Sequence, residues 1–337
     1  MHNGVNMNRA KYVLLLALIA VVGAIIPQAR TNGLFVIASF PSLVDDLELI
    51  ACPGDRIDYL VPYGVDPHEY TLTPSDIEII KKADLIVTTG HTSFEAKISE
   101  MAEKGEIKAR VIEIPKIPGI VIRKNPVLGT PNYHMPIYDP ENFITYMEYL
   151  AREMARLNPS CKTYYFERIS SIRKQVERVV ASTPKLSIDA VADSPVVQYA
   201  VEWIGIKLKY LVVAEHGLQA NPDLAVVEKA LIEGKIGLVV VTEQYRSKYS
   251  EWLIKKAIET GIPVLLIPSP MSKGTTIEKL RYVSLQVASI ASSIQNYNVS
   301  AEHSRVNRRF YIIDYVAIAL GILVYALMLT AIWCREK

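Results

Sequence analysis

Two histidines stand in phrases that turn the chain and hold a side chain in place. His68 lies in Val61-Pro62-Tyr63-Gly64-Val65-Asp66-Pro67-His68-Glu69-Tyr70, where Gly64 and Pro67 make a turn. His134 lies in Tyr133-His134-Met135-Pro136-Ile137-Tyr138-Asp139-Pro140. A neutral imidazole offers one nitrogen to a transition metal, and two such groups converging from different turns suit one ion. The competing reading makes each an isolated surface histidine. His91 also follows an apolar run, with Glu95 one helical turn further on, and reads as a surface residue. His2 and His303 lie in the tails and carry no role in this reading.

The elements that would position these histidines alternate between strand and helix. Short apolar runs at 34–40, 57–61, 84–89 and 110–114 read as strands, with amphipathic stretches between them. Ser42 reads as an N-cap with Asp45 and Asp46 in the first helical turn. A Pro/Gly-punctuated loop over 116–133 delivers His134 to a helix over 140–157. A second long helix over 161–181 ends at Thr183-Pro184. The alternation then restarts, with strands at 188–192, 208–214, 236–241 and 263–267 and helices at 195–204, 222–233, 248–260 and 276–296. The fold class is therefore α/β, two similar lobes, each a parallel four-stranded sheet flanked by helices, joined by a long rigid helix. Strand ends facing each other across two such lobes form a cleft for a small ligand. The expected units are 31–158, a connector at 159–183 and 184–304.

Half of the 337 residues are hydrophobic and the formal charge is only +2, with both signs interspersed. No basic face indicates nucleic acid. Residues 1–30 read as a signal sequence or N-terminal anchor, with an apolar run after Arg9 and Lys11. No cysteine follows that run to carry a bacterial-type lipid. Residues 310–334 read as a transmembrane helix, since 312–333 are long and apolar enough to cross a bilayer. These readings place the chain at the cell membrane with the ligand-binding part extracellular, touching membrane lipid through its terminal helices. Cys52 and Cys161 can form one disulfide only if the fold brings them together.

The phrases around His68 and His134, with Thr73-Pro74-Ser75-Asp76, Tyr199 ahead of Gly205-Ile206, and Glu243-Gln244-Tyr245, occur in one series. That series resembles the zinc- and manganese-binding solute receptors of ABC importers, cluster A-I, in a membrane-anchored, archaeal-like form. The resemblance implies a two-lobed receptor holding one divalent transition metal, zinc ahead of manganese, and delivering it to an ABC permease in the same membrane. It implies first-lobe ligands at His68 and His134. In the second lobe the ligand positions fall on Ser194 and Ser269, and a neutral hydroxyl is a poor ligand for either metal. The loop over 116–133 also lacks the family's histidines.

The missing donors have replacements at other strand ends of the second unit: Asp193, Glu215, His216 and Glu243. The site is therefore expected at His68, His134, His216 and Glu243. The resemblance leans toward an orienting role for Glu243. Binding is expected to weaken as pH falls, because protons compete with the metal for the same nitrogen. Two other functions compete. The two serines support an adhesion or assembly module with a degenerate metal site. A metallohydrolase has the His/Glu/Asp set but no nucleophile elbow, phosphate loop or His-Glu-x-x-His helix, so no enzymatic activity is expected.

Overall fold

The computed structural model describes residues 33–213, 224–244 and 247–293. The terminal segments 1–30 and 310–334, and Glu215 and His216, lie outside the described residues. Among the described residues no helix is long and apolar enough to cross a membrane.

Strands β1 (Phe35–Ala38), β2 (Arg56–Tyr59), β3 (Leu85–Thr88) and β4 (Arg110–Glu113) form a parallel sheet in the order β2-β1-β3-β4. Strands β5 (Ile188–Ala192), β6 (Ile206–Leu211), β7 (Leu238–Thr242) and β8 (Val264–Ile267) form a second, in the corresponding order β6-β5-β7-β8. Central β3 is buried along its whole length, as a strand covered on both faces must be. At the edge, β6 alternates buried and exposed positions through Ile206-Lys207-Leu208-Lys209, with a polar side left to water.

Helices cover both sheets. In the first lobe they are α1 (Pro41–Glu48), α2 (Pro74–Ile80) and α3 (Ser93–Glu103). Helix α4 (Pro140–Leu157) packs against α5 (Lys162–Ser182), the connector. At 21 residues α5 spans roughly 30 Å. The second lobe carries α6 (Gln198–Val201), α7 (Leu224–Ile232), α8 (Lys248–Thr260) and a closing helix α9 over 276–293. One continuous core runs from β1 and β3 through Tyr146, Leu150, Tyr165 and Ile169 of the two long helices to Ala190, Leu238 and Val240. The alternate residues Val191, Val239 and Val241 point to the other face and form a separate cluster with Val227 and Leu253. Cys52 and Cys161 form a disulfide across 109 residues, fastening the first lobe to the start of the connector.

Two local expectations are corrected. Ser42 is not a cap: the N-cap is Phe40 and Pro41 opens α1, as its fixed φ favours in a first turn. The stretch 195–204 is not one helix. It is a 3-10 turn Pro195–Val197, the short α6, and a second 3-10 turn Glu202–Ile204 that ends at Gly205, with φ +97°.

Asp46 has a tertiary role that the helix pattern hid. It is buried and accepts hydrogen bonds from the Thr276 backbone N–H and hydroxyl, both at 2.7 Å, which ties α1 to α9. Neighbouring Asp45 accepts the Gly274 N–H at 2.6 Å. Burial pushes the Asp46 carboxyl up to about 6, partly offset by the Thr276 bonds and by Lys279. Between about pH 4 and pH 6 the folded chain holds a proton that the unfolded chain has released, so this group's contribution to stability falls as pH rises through that window. The full change is about 3 kcal/mol. Asp46→Asn is therefore expected to gain on the wild type in thermal unfolding between pH 4 and pH 7. A constant difference across that range would contradict the assignment.

Candidate metal site

The site lies where the carboxyl ends of the first sheet meet the second lobe. Strands β2 and β3 flank β1 on opposite sides, so the segments leaving them diverge around a crevice at the switch point of the sheet. His68 follows β2. Its turn is held by Gly64 at φ +84° and by Asp66, whose Oδ1 accepts the His68 N–H at 2.9 Å. Tyr70 donates to Asp76 Oδ2 at 2.8 Å and so pins the segment to the start of α2. There the Thr73 N–H also donates to Asp76, at 2.7 Å, closing a capping box.

His91 follows β3 through Gly90, which has φ +72°. The expectation that it is a surface residue is overturned. Ligand nitrogens of His68, His91 and His134 lie within 4.8 Å of one another, in the cleft, with His91 and His134 half-buried. Ring centroids are 5.4 Å apart for His68 and His91, 5.2 Å for His91 and His134, and 6.5 Å for His68 and His134. Nitrogens bound to one zinc at about 2.0 Å stand about 3.3 Å apart in a tetrahedron, so small side-chain rotations suffice. The signal in the sequence was the strand end itself: Thr88-Thr89-Gly90-His91 occupies in β3 the position that the His68 segment occupies in β2.

Hydrogen bonds assign the lone pair to one nitrogen in the rings of His91 and His134. Buried Glu95 accepts the Thr89 hydroxyl, at 2.9 Å to Oε2, together with the N–H groups of Thr89, His91 and Thr92. With its proton given to Glu95, Thr89 Oγ1 accepts from His91 Nδ1 at 2.9 Å. Asn132 donates its amide to the Pro195 carbonyl at 2.9 Å and to Gln198 Oε1 at 2.7 Å, which turns Oδ1 toward His134. That oxygen accepts from the His134 backbone and from Nδ1, at 3.0 and 2.9 Å. In both rings this pattern puts the proton on Nδ1 and turns Nε2 into the atom that could ligate a metal, the arrangement that metal-binding histidines require of their neighbours. Met135, next along, adopts φ +50° ahead of Pro136, a left-handed conformation held by the packing around it.

The second lobe meets this cluster with hydroxyls. Ser194 and Ser269 both line the cleft, as do Thr242, Ser247 and Ser250. Asp193 is buried and engaged, accepting from the Thr242 N–H and hydroxyl at 2.9 and 3.3 Å and from Ser250 at 2.9 Å. Burial pushes its carboxyl above the usual range, and those bonds oppose the shift. Glu243 does not join the cluster: its Oε1 accepts the Tyr282 hydroxyl at 3.2 Å. Bonds across the cleft keep the loop of His134 against α6. Tyr199 donates to the Asn132 carbonyl at 2.6 Å and accepts the Arg123 N–H at 2.8 Å. Arg123 bridges Asp139 and Glu202, at 2.6 and 3.0 Å.

Two parallel α/β units on one connecting helix, with three histidines gathered in the cleft between them, make this a two-lobed fold with a histidine-lined crevice. Residues 36–292 match the family model for the zinc-uptake complex component A periplasmic, ZnuA, and the chain belongs to that family. Among similar curated proteins is the manganese ABC transporter substrate-binding lipoprotein PsaA of Streptococcus anginosus, 29% identical over 178 residues. That match covers 50% of this chain and 57% of the relative. The iron ABC transporter substrate-binding lipoprotein MtsA of Streptococcus pyogenes serotype M1 is 27% identical, over 49% of this chain and 55% of its own. The chain thus spans a little over half the length of the curated relatives it matches. Neither relative is named as an enzyme. Similar solved structures include the SBP FpvC of Pseudomonas aeruginosa in complex with Mn2+, with a TM-score of 0.62 and 19% identity over 76% of this chain and 99% of that one. A zinc-bound ZnuA deletion mutant matches with a TM-score of 0.62 and 21% identity over 76% of this chain and 97% of that one. These likenesses carry the fold.

Proposed function

We propose that this chain captures a divalent transition metal in its interlobe cleft and hands it to an ABC permease. In this reading the terminal segments 12–29 and 312–333 tether it to the membrane, with the lobes outside the cell. The observation that supports it most is the cluster of His68, His91 and His134, two of them oriented by buried hydrogen-bonded partners. Three imidazoles favour zinc over manganese, because manganese prefers carboxylate and water oxygens. Zinc is the proposed cargo. His216 and Glu243, expected as second-lobe donors, are not needed for this nitrogen set.

Calorimetric titration of the purified chain with zinc and manganese tests the reading. One zinc per chain is expected, bound more tightly than manganese, with affinity falling as pH is lowered from 8 to 6. A chain that binds neither ion would remove the receptor reading and put the adhesion or assembly module in its place.

A further inference from the structure

We propose that the metal is bound together with a small carboxylate ligand, which fills the coordination position facing the second lobe. The cargo would then be a metal–carboxylate complex. This rests on the reading of His68, His91 and His134 as metal ligands. Those three nitrogens come from one lobe, whereas zinc completes a tetrahedron with a fourth donor. Among the described residues no carboxylate or further imidazole joins the cluster. Asp193 lines the cleft but is already held by Thr242 and Ser250.

Charge points the same way. Three neutral imidazoles leave the ion's two positive charges without an anionic partner among its ligands. The walls combine apolar side chains, including Phe40, Val65, Met135, Val196, Val213 and Met271, with hydroxyls and the carboxylates of Asp66 and Asp193, neither of which joins the histidine cluster. A charge with no anionic ligand in a partly apolar cleft is costly, so an anion entering with the ion as a direct ligand lowers the free energy of the bound state.

Size and polarity then select the anion. The cleft, partly open to solvent, offers about 330 Å3, at the lower end of small-molecule sites, which run from about 300 to 1,000 Å3. At roughly 30 Å3 per water, an ion with one water would leave most of that space over. Among the described lining residues there is no Lys or Arg, so phosphate would have no cation beyond the metal. The facing hydroxyls of Ser194 and Ser269 suit the outer oxygen of a carboxylate. Ser269 Oγ accepts the Met271 N–H at 3.1 Å, which leaves its proton to donate.

The experiment loads the full chain in detergent with Co2+, whose visible bands report coordination, and titrates acetate and oxalate against chloride at constant ionic strength. A saturable band change with the carboxylates, absent with chloride, is expected. Ser269→Asp, which supplies a carboxylate from the chain itself, is expected to weaken that response tenfold or more while cobalt stays bound. A chain that takes up cobalt but shows no carboxylate response overturns this inference alone. The same holds if the response emerges only in His216→Ala, because the chain's own imidazole then fills the position. A chain that takes up no cobalt overturns both the inference and the reading beneath it.

Discussion

His91→Ala is expected to weaken zinc binding by at least about 100-fold. Loss of a group that merely orients a ligand typically costs about 10- to 100-fold, and in the proposed site His91 is itself a ligand. The fold should tolerate the change. His91 is half-buried, and the hydrogen bond between its ring and Thr89 is worth about 1 kcal/mol. Thr89→Val supplies a graded comparison. It removes the acceptor that holds the His91 Nδ1 proton while leaving the imidazole in place, so a loss of about tenfold is expected. His216→Ala is expected to leave zinc affinity within about threefold of wild type. Calorimetry on the three variants, with thermal unfolding of each, decides the matter. If His91→Ala binds zinc as the wild type does, His91 is a bystander and the ion is held by His68 and His134 with a donor from the second lobe.

The sequence carried the architecture because parallel α/β units write it into local pattern. Strands buried on both faces read as short apolar runs, and all eight expected runs overlap strands in the structure. The helices Pro140–Leu157 and Lys248–Thr260 are bounded by Asp139 and Ser247, whose side chains accept backbone N–H groups of the first turn, so their starts were visible too. What stayed hidden was set by contacts distant in sequence. Asp46 looked like a first-turn acid of α1, yet its partner Thr276 lies 230 residues away. His91 looked like a surface residue because family likeness led the eye to His68 and His134, and to Ser194 and Ser269 opposite. The three imidazoles come together only when β2 and β3 are placed on either side of β1 and the loop of Asn132 is drawn against Gln198. Glu243 had the right chemistry at a strand end, but the Tyr282 hydroxyl of α9 meets its carboxylate.

Removal of the disulfide is expected to produce the largest loss of stability. Cys52 and Cys161 are 109 residues apart in sequence with Cα atoms separated by 6.1 Å, and both are buried. Closing a loop of that length restricts the unfolded chain by about 5 kcal/mol in the chain-entropy account, a large share of the stability of an ordinary domain. The native state should change little, because neighbouring contacts already hold the two segments together. Asp55 accepts the Tyr165 hydroxyl at 2.8 Å and the Cys52 N–H at 2.8 Å, and Arg168 donates to the Leu49 carbonyl at 2.7 Å. The three histidines lie on other segments. The paired variant Cys52→Ala with Cys161→Ala should therefore unfold at a markedly lower denaturant concentration yet bind zinc with unchanged stoichiometry while folded. Urea unfolding with and without a reductant, followed by zinc titration in the absence of urea, separates the two effects. Stability that neither reduction nor the double substitution lowers would show that native contacts alone dock the connector, whereas loss of zinc binding in the folded variant would show that the connector's anchorage also shapes the cleft.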